Sequence, residues 1–86
     1  MPRRRTPSAD LIQEFADVLA RVGTVIAEHR RAQGLTQQEL ADACRIQRPS
    51  LSSLEAGRRN LTFVTLVRIA DALGCKPSEL LRDAGL

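Results

Sequence analysis

Hydrophobic residues recur every three or four positions along almost the whole chain, and no segment alternates in the two-residue period of a strand. The pattern predicts an all-α protein of five helices, or of five with an N-terminal extension. Leu11, Ile12, Phe15, Val18, Leu19 and Val22 fall on one face of the first, with Ser8 after Pro7 as its N-cap. Gly23 is a place where this helix would bend or divide; the pattern resumes through Val25 and Ile26 to Arg31, and Gly34 supplies a stop. Thr36 with Glu39 three residues on spells a capping box for a second helix, in which Leu40 and Ala41 face inward and Cys44 lies near the end. Pro49 falls in the first turn of a third, where a missing N–H is tolerated, with Leu51 and Leu54 toward the core and Gly57 at the end. Between Thr62 and Gly74, the apolar positions Phe63, Leu66, Val67, Ile69, Ala70 and Leu73 mark a fourth. Pro77 opens a short fifth that contains Leu80 and Leu81.

At 86 residues and 43% hydrophobic content the chain suits one domain with one core. The reading is a flexible basic tail at 1–7 and a single domain over 8–86. No apolar run is long enough to cross a bilayer, and "MPRRRTPSAD" has no apolar segment behind its basic flank. The expected location is the cytoplasm, without membrane contact. Cys44 and Cys75 form no CxxC pair, and with His29 the single histidine no metal site is expected; the cysteines read as buried free thiols. Ser50, Ser52 and Ser53 have no catalytic partner nearby in sequence, and paired carboxylates and a Gly-rich phosphate loop are lacking, so no enzyme is expected.

Charge changes the picture once it is mapped. Residues 1–7 contribute +3 from Arg3, Arg4 and Arg5, and residues 8–29 contribute −3, from Asp10, Glu14, Asp17 and Glu28 against Arg21. Residues 30–61 contribute +3, from Arg30, Arg31, Arg45, Arg48, Arg58 and Arg59 against Glu39, Asp42 and Glu55. The positive excess of the folded part therefore lies on the second and third helices and their flanks, as on a surface that meets a polyanion. An unevenly charged solvated surface is the plainer explanation. The Arg3 to Arg5 tail, likewise, is either an arm that tracks a DNA groove or simply solvated.

Two short helices joined by a tight turn, the second opening on the polar and basic Gln47-Arg48-Pro49-Ser50, meet the requirements of a helix-turn-helix reader over residues 36–57. The first helix braces the second, whose N-terminal residues reach base edges in the major groove. Ala41 is small enough for close approach, Ile46 fills the corner, and Leu51 and Leu54 anchor the reader from beneath. Arg48, Pro49, Ser52 and Ser53 then point outward. A generic helical hairpin within a bundle would show the same periodicity.

The stretch "HRRAQGLTQQELA", the end of the third helix "SLSSLEAGRRN" and the closing "TLVRIADALGCKPSELL" resemble the XRE, or phage-repressor and Cro-type, helix-turn-helix family over about 60 residues. "LEAGRRNLTF" is also similar to the small controller proteins of restriction-modification systems. Residues 1–20 lie outside the resemblance. It implies a compact repressor-type domain that binds double-stranded DNA as a homodimer, with no cofactor and no small-molecule ligand. It further implies that Gln37 hydrogen-bonds the DNA backbone and that Gln47, Arg48, Pro49, Ser52 and Ser53 face bases or adjacent phosphates. Arg48 suits bidentate contact with guanine. Arg58, Arg59 and Asn60 match a loop that grips the sugar-phosphate backbone, and Arg30 with Glu55 matches a structural ion pair.

The chain departs from the family twice. Arg45 stands where a glycine usually enters the left-handed region, which implies strain of about 1 to 2 kcal/mol or an altered turn. Pro49 disfavours helical geometry at Arg48 and would move the helix start by one residue. Leu11, Ile12 and Phe15 near one end, and Val64, Leu81 and Leu86 near the other, are the candidate dimer surfaces. A helical module that binds a protein partner, antitoxin-like or anti-activator, is the alternative function.

Overall fold

The segments of helical periodicity become α1 (Ala9–Ala32), α2 (Gln37–Cys44), α3 (Arg48–Glu55), α4 (Phe63–Leu73) and α5 (Pro77–Asp83). The computed structural model describes residues 9–86, and among them there is no strand. Arg3 to Arg5, Ser8 and the side chains of Leu11 and Ile12 lie outside the described residues. No described helix is long and apolar enough to cross a membrane.

Each helix sends one large, fully buried side chain to the centre: Ile26, Leu40, Leu51, Ile69 and Leu80 all have zero exposure. Burial of such a side chain contributes about 1.5 to 3 kcal/mol, so these five are the main anchors that hold the short α2 and α3 in place. Val22, Val25, Leu54, Leu66 and Leu73 complete the core around them. The N-terminal part of α1 is different. Gln13 to Asp17 are all exposed, and the apolar stripe continues through the exposed Phe15 before it reaches half-buried Val18 and Leu19. Phe63 and Val67 are also exposed, so the apolar stripe of α4 is wider than the face it buries.

Gly23 neither bends nor divides α1, which is continuous from Ala9 to Ala32. A Cβ at Gly23 would sit 2.4 Å from the Leu54 carbonyl oxygen and 2.6 Å from that of Glu55. The missing side chain lets α1 touch the backbone at the C-terminal end of α3. The same interface recurs one turn away, where a Cβ on Gly57 would lie 2.6 Å from the Ala20 Cα. Close backbone approach at Gly23 and Gly57 therefore helps to set the position of α3 against α1.

The helix ends follow from local chemistry. The Thr36 hydroxyl accepts from the Glu39 N–H, the Glu39 carboxylate accepts from the Thr36 N–H, and the Thr62 hydroxyl caps α4 by accepting from the Thr65 N–H. The Thr36 backbone N–H, then its hydroxyl, holds the Glu39 carboxyl below the usual carboxylate range. All five helices close with paired backbone bonds of the Schellman type, with the αL position filled by Gly34, Gly57, Gly74 or Gly85 in four of them. The fifth belongs to α2. There Arg45 takes φ 58° and ψ 44°, its N–H donates to the Asp42 carbonyl and the Ile46 N–H donates to that of Ala41. The turn thus keeps its shape with a non-glycine residue in it. Pro49 does not displace the next helix either, because α3 begins at Arg48 and Pro49 occupies its first turn.

His29 Nε2 lies 2.9 Å from Asp83 Oδ2, which joins α1 to the end of α5 and holds the Asp83 carboxyl below its usual range. Cys44 and Cys75 are free thiols; the first is buried, with Sγ donating to the Leu40 carbonyl, and the second only half-buried. Burial raises both thiols above the ordinary cysteine value.

Candidate nucleic-acid interface

The chain enters α3 in an extended conformation at Gln47, whose side chain makes no cap, and the helix then presents Arg48 and Pro49 exposed to solvent. Ser52 and Ser53, one turn on, are half-buried. Leu51 and Leu54 take the opposite side and disappear into the core. The outward face of α3 is thus short, polar and basic, and α2 stands behind it through the turn at Arg45.

The rear of this surface is pinned by a buried network. Arg30 is 8% exposed, and its Nε and one terminal nitrogen donate to the two oxygens of Glu55 at 2.8 and 3.0 Å. Its other terminal nitrogen donates to the Leu35 carbonyl at 2.8 Å, so one guanidinium ties α1 to α3 and to the approach to α2. The hydrogen bond with Glu55 raises the Arg30 pKa against the opposing effect of burial. Gln37, at the first position of α2, donates its side-chain amide to Glu55 at 3.0 Å. Among the described residues, no buried side-chain nitrogen or oxygen lacks a partner.

Beyond Gly57 the chain exposes Arg58, Arg59 and Asn60. Arg59 turns back and donates to the Ser50 hydroxyl at 2.8 Å, which fastens this loop to the first turn of α3. Arg45, Gln47, Ser50, Arg59 and Asn60 share the wall of a cavity of about 290 Å³. Gln37 is not part of that wall and lines a separate cavity of about 280 Å³ with Arg31 and Ser52. The residues singled out in the sequence therefore fall into an exposed group on α3 and two groups on its flanks. Sequence reasoning missed the Gln37–Glu55 and Arg59–Ser50 hydrogen bonds, which join residues far apart in the chain. It also missed Arg31 and Arg45 as parts of these cavities. The only sequence signal for Arg31 was the excess of arginine over residues 30–61.

Two short helices with this geometry, set on a core of three more, define a helix-turn-helix domain. The helix-turn-helix family model matches residues 26–80, and the chain belongs to that family, of the XRE type. It is 45% identical over 65 residues to the HTH-type transcriptional regulator y4dJ of Sinorhizobium fredii, covering 76% of this chain and 84% of that one. It is also 31% identical over 80 residues to the control protein C.SmaI of Serratia marcescens, covering 93% of each. Among solved structures, the clp gene regulator ClgR of C. glutamicum superposes with a TM-score of 0.77 at 31% identity, over 79% of this chain and 87% of that one. The restriction-modification controller protein C.AhdI of Aeromonas hydrophila superposes with a TM-score of 0.71 at 35% identity, over 72% and 94%. The family is one of DNA-binding transcriptional regulators, not of enzymes.

Proposed function

We propose that the protein is a sequence-specific, double-stranded DNA-binding transcriptional regulator that acts in the cytoplasm as a homodimer on a pseudo-palindromic operator. The observation that carries this reading is the first turn of α3, where Arg48 and Pro49 stand exposed on a helix anchored by Leu51 and Leu54. Arg48 is suited to guanine O6 and N7, while Gln47, Pro49, Ser52 and Ser53 meet bases or adjacent phosphates with less discrimination. Arg58, Arg59 and Asn60 add affinity through the sugar-phosphate backbone, and Gln37 contacts the backbone with the amide hydrogen that Glu55 leaves available. The Arg30–Glu55 pair has a structural role.

Operators selected from a random DNA pool provide the test. Arg48→Ala is expected to lose roughly 1 to 3 kcal/mol on the selected site and to relax its sequence at particular base pairs. Arg59→Ala is expected to weaken all duplexes alike and to shallow the salt dependence. Equal losses on selected and random DNA for Arg48→Ala would refute base reading.

The homodimer is supported by exposed apolar side chains. Phe63 is 81% exposed and Val64 62%, with Leu86 and Phe15 both at 54%. Val18, Leu19, Leu61, Phe63 and Leu86 also border an apolar cavity of about 220 Å³. Leu81 packs partly against the core and offers less to a partner. The same apolar surface is what favours the second reading, a helical module for a protein partner; DNA affinity that stays weak and independent of sequence would support it.

A further inference from the structure

Arg31 follows Arg30 in sequence but shares none of its bonds. Its side chain is exposed, and the ion pairs among the described residues, His29–Asp83, Arg30–Glu55 and Arg82–Asp83, leave it unpaired. It stands at the mouth of the cavity of about 280 Å³ that Gln37, Ser52, Glu55 and Ala56 also line. The single carboxylate there, Glu55, has a side chain only 5% exposed, and both of its oxygens are taken up by Arg30 and Gln37. With that charge answered from within, the guanidinium of Arg31 leaves the cavity mouth positive. A neutral amide has two N–H donors, so Gln37 keeps one after bonding to Glu55, and the Ser52 hydroxyl makes no side-chain hydrogen bond among the described residues. A cation and two neutral hydrogen-bonding groups thus converge on one concave site.

The place of this cavity beside α3 matters as much as its chemistry. Ser52, Glu55 and Ala56 line it, whereas Gln47, Ser50 and Leu54 line the cavity that holds Arg45 and Arg59. By helical periodicity these two sets lie on opposite flanks of α3. We propose that Arg31, with Gln37 and Ser52, seats a phosphodiester group of the DNA backbone on the flank of α3 away from Arg59. The reader helix is then held between cationic contacts on both sides. This seat rests on the DNA-binding function proposed above, and it assigns to Arg31 affinity without base discrimination, because phosphate carries no sequence.

The test uses the full chain, an operator selected from a random pool and a duplex of unrelated sequence, titrated at several salt concentrations from roughly 50 to 200 mM. Arg31→Gln keeps a polar side chain at an exposed position, so the melting temperature should be unchanged. Affinity is expected to fall by a similar factor, roughly three- to tenfold, on both duplexes, and the slope of log K against log salt to become shallower by about 0.9 for each contact removed. Arg31→Lys should retain most of the slope. An unaltered slope and affinity in Arg31→Gln, in a preparation whose Arg59→Ala variant does lose salt dependence, overturns the Arg31 seat and leaves the DNA-binding reading intact. A loss confined to the operator overturns it too, since Arg31 would then be reading bases. Failure of the unsubstituted protein to bind either duplex overturns both readings together.

Discussion

Arg45 closes α2 with the same backbone bonds that glycines make at the ends of the other four helices. The end of α4 offers a close comparison, since Ala70-Asp71-Ala72-Leu73-Gly74-Cys75 matches Ala41-Asp42-Ala43-Cys44-Arg45-Ile46 in pattern except that glycine fills its αL position. At φ 58° the Arg45 Cβ crowds the following carbonyl, at a cost of about 1 to 2 kcal/mol that Gly74 does not bear. Its exposed side chain recovers little of this inside the domain and instead places a cation on the wall shared with Gln47, Ser50 and Arg59. Arg45→Gly is therefore expected to raise stability, by about 1 kcal/mol once the greater freedom of glycine in the unfolded chain is deducted. DNA affinity should stay level or fall, because a positive charge is lost. Chemical denaturation and a binding titration on the same variant check both parts, and a lower denaturation midpoint would contradict the strain.

At the scale of elements, the features legible in the sequence are those whose causes are local. The Thr36–Glu39 box, the Thr62 cap and the prolines in the first turns of α3 and α5 each depend on residues within one turn, and each marks a helix start in the structure. Gly23 was misleading because its cause is a contact with α3, far along the chain. A glycine in mid-helix costs about 1 kcal/mol relative to alanine, and taken alone it reads as a weak point. Ala20, Gly23 and Ala27, small residues at helical spacing, were the available sign of a close neighbour. The exposure of Phe63 and Val67 was not legible for another reason: periodicity gives the direction of a face but not how far the neighbouring helices extend across it. At the site, the exposed positions on α3 follow from the helical period, whereas the bonds from Gln37 to Glu55 and from Arg59 to Ser50 required the fold. The α1–α3 contact yields a direct prediction. In Gly23→Ala the new methyl meets two backbone carbonyls, which cannot swing aside as a side chain would. Overpacking of about 1 to 3 kcal/mol should outweigh the gain in helix propensity and lower the denaturation midpoint. A midpoint equal to or above that of the unsubstituted protein would show that α1 and α3 do not approach this closely.

For the whole molecule the question is how so small a reading surface reaches specificity. On the proposed reading, one α3 would offer only Arg48, Pro49 and a few neighbours to a major groove, too few contacts to single out a site among a genome's competitors, whereas two copies on a two-fold axis would double the contacts and fix their spacing. The exposed Phe63 and Val67, one turn apart on α4, together with Val64 give an apolar patch at the start of that helix. Phe63→Ser should leave the fold almost untouched, because substitution at an exposed position typically changes stability by no more than about 0.5 kcal/mol. It should nevertheless shift the protein toward monomer in sedimentation equilibrium. Binding to the selected operator should then weaken more than binding to random DNA, since the second half-site is engaged only through the partner. The operator itself should contain an inverted repeat with half-site centres roughly 34 to 36 Å apart, or a simple multiple of that distance, so that both reader helices meet the same face of the duplex. Selected sites without an inverted repeat, or a chain that remains monomeric on its operator, would rule out the symmetric arrangement. A Phe63→Ser variant that still forms dimers would instead place the interface elsewhere, with the exposed Phe15 end of α1 and the exposed Leu86 as further apolar candidates.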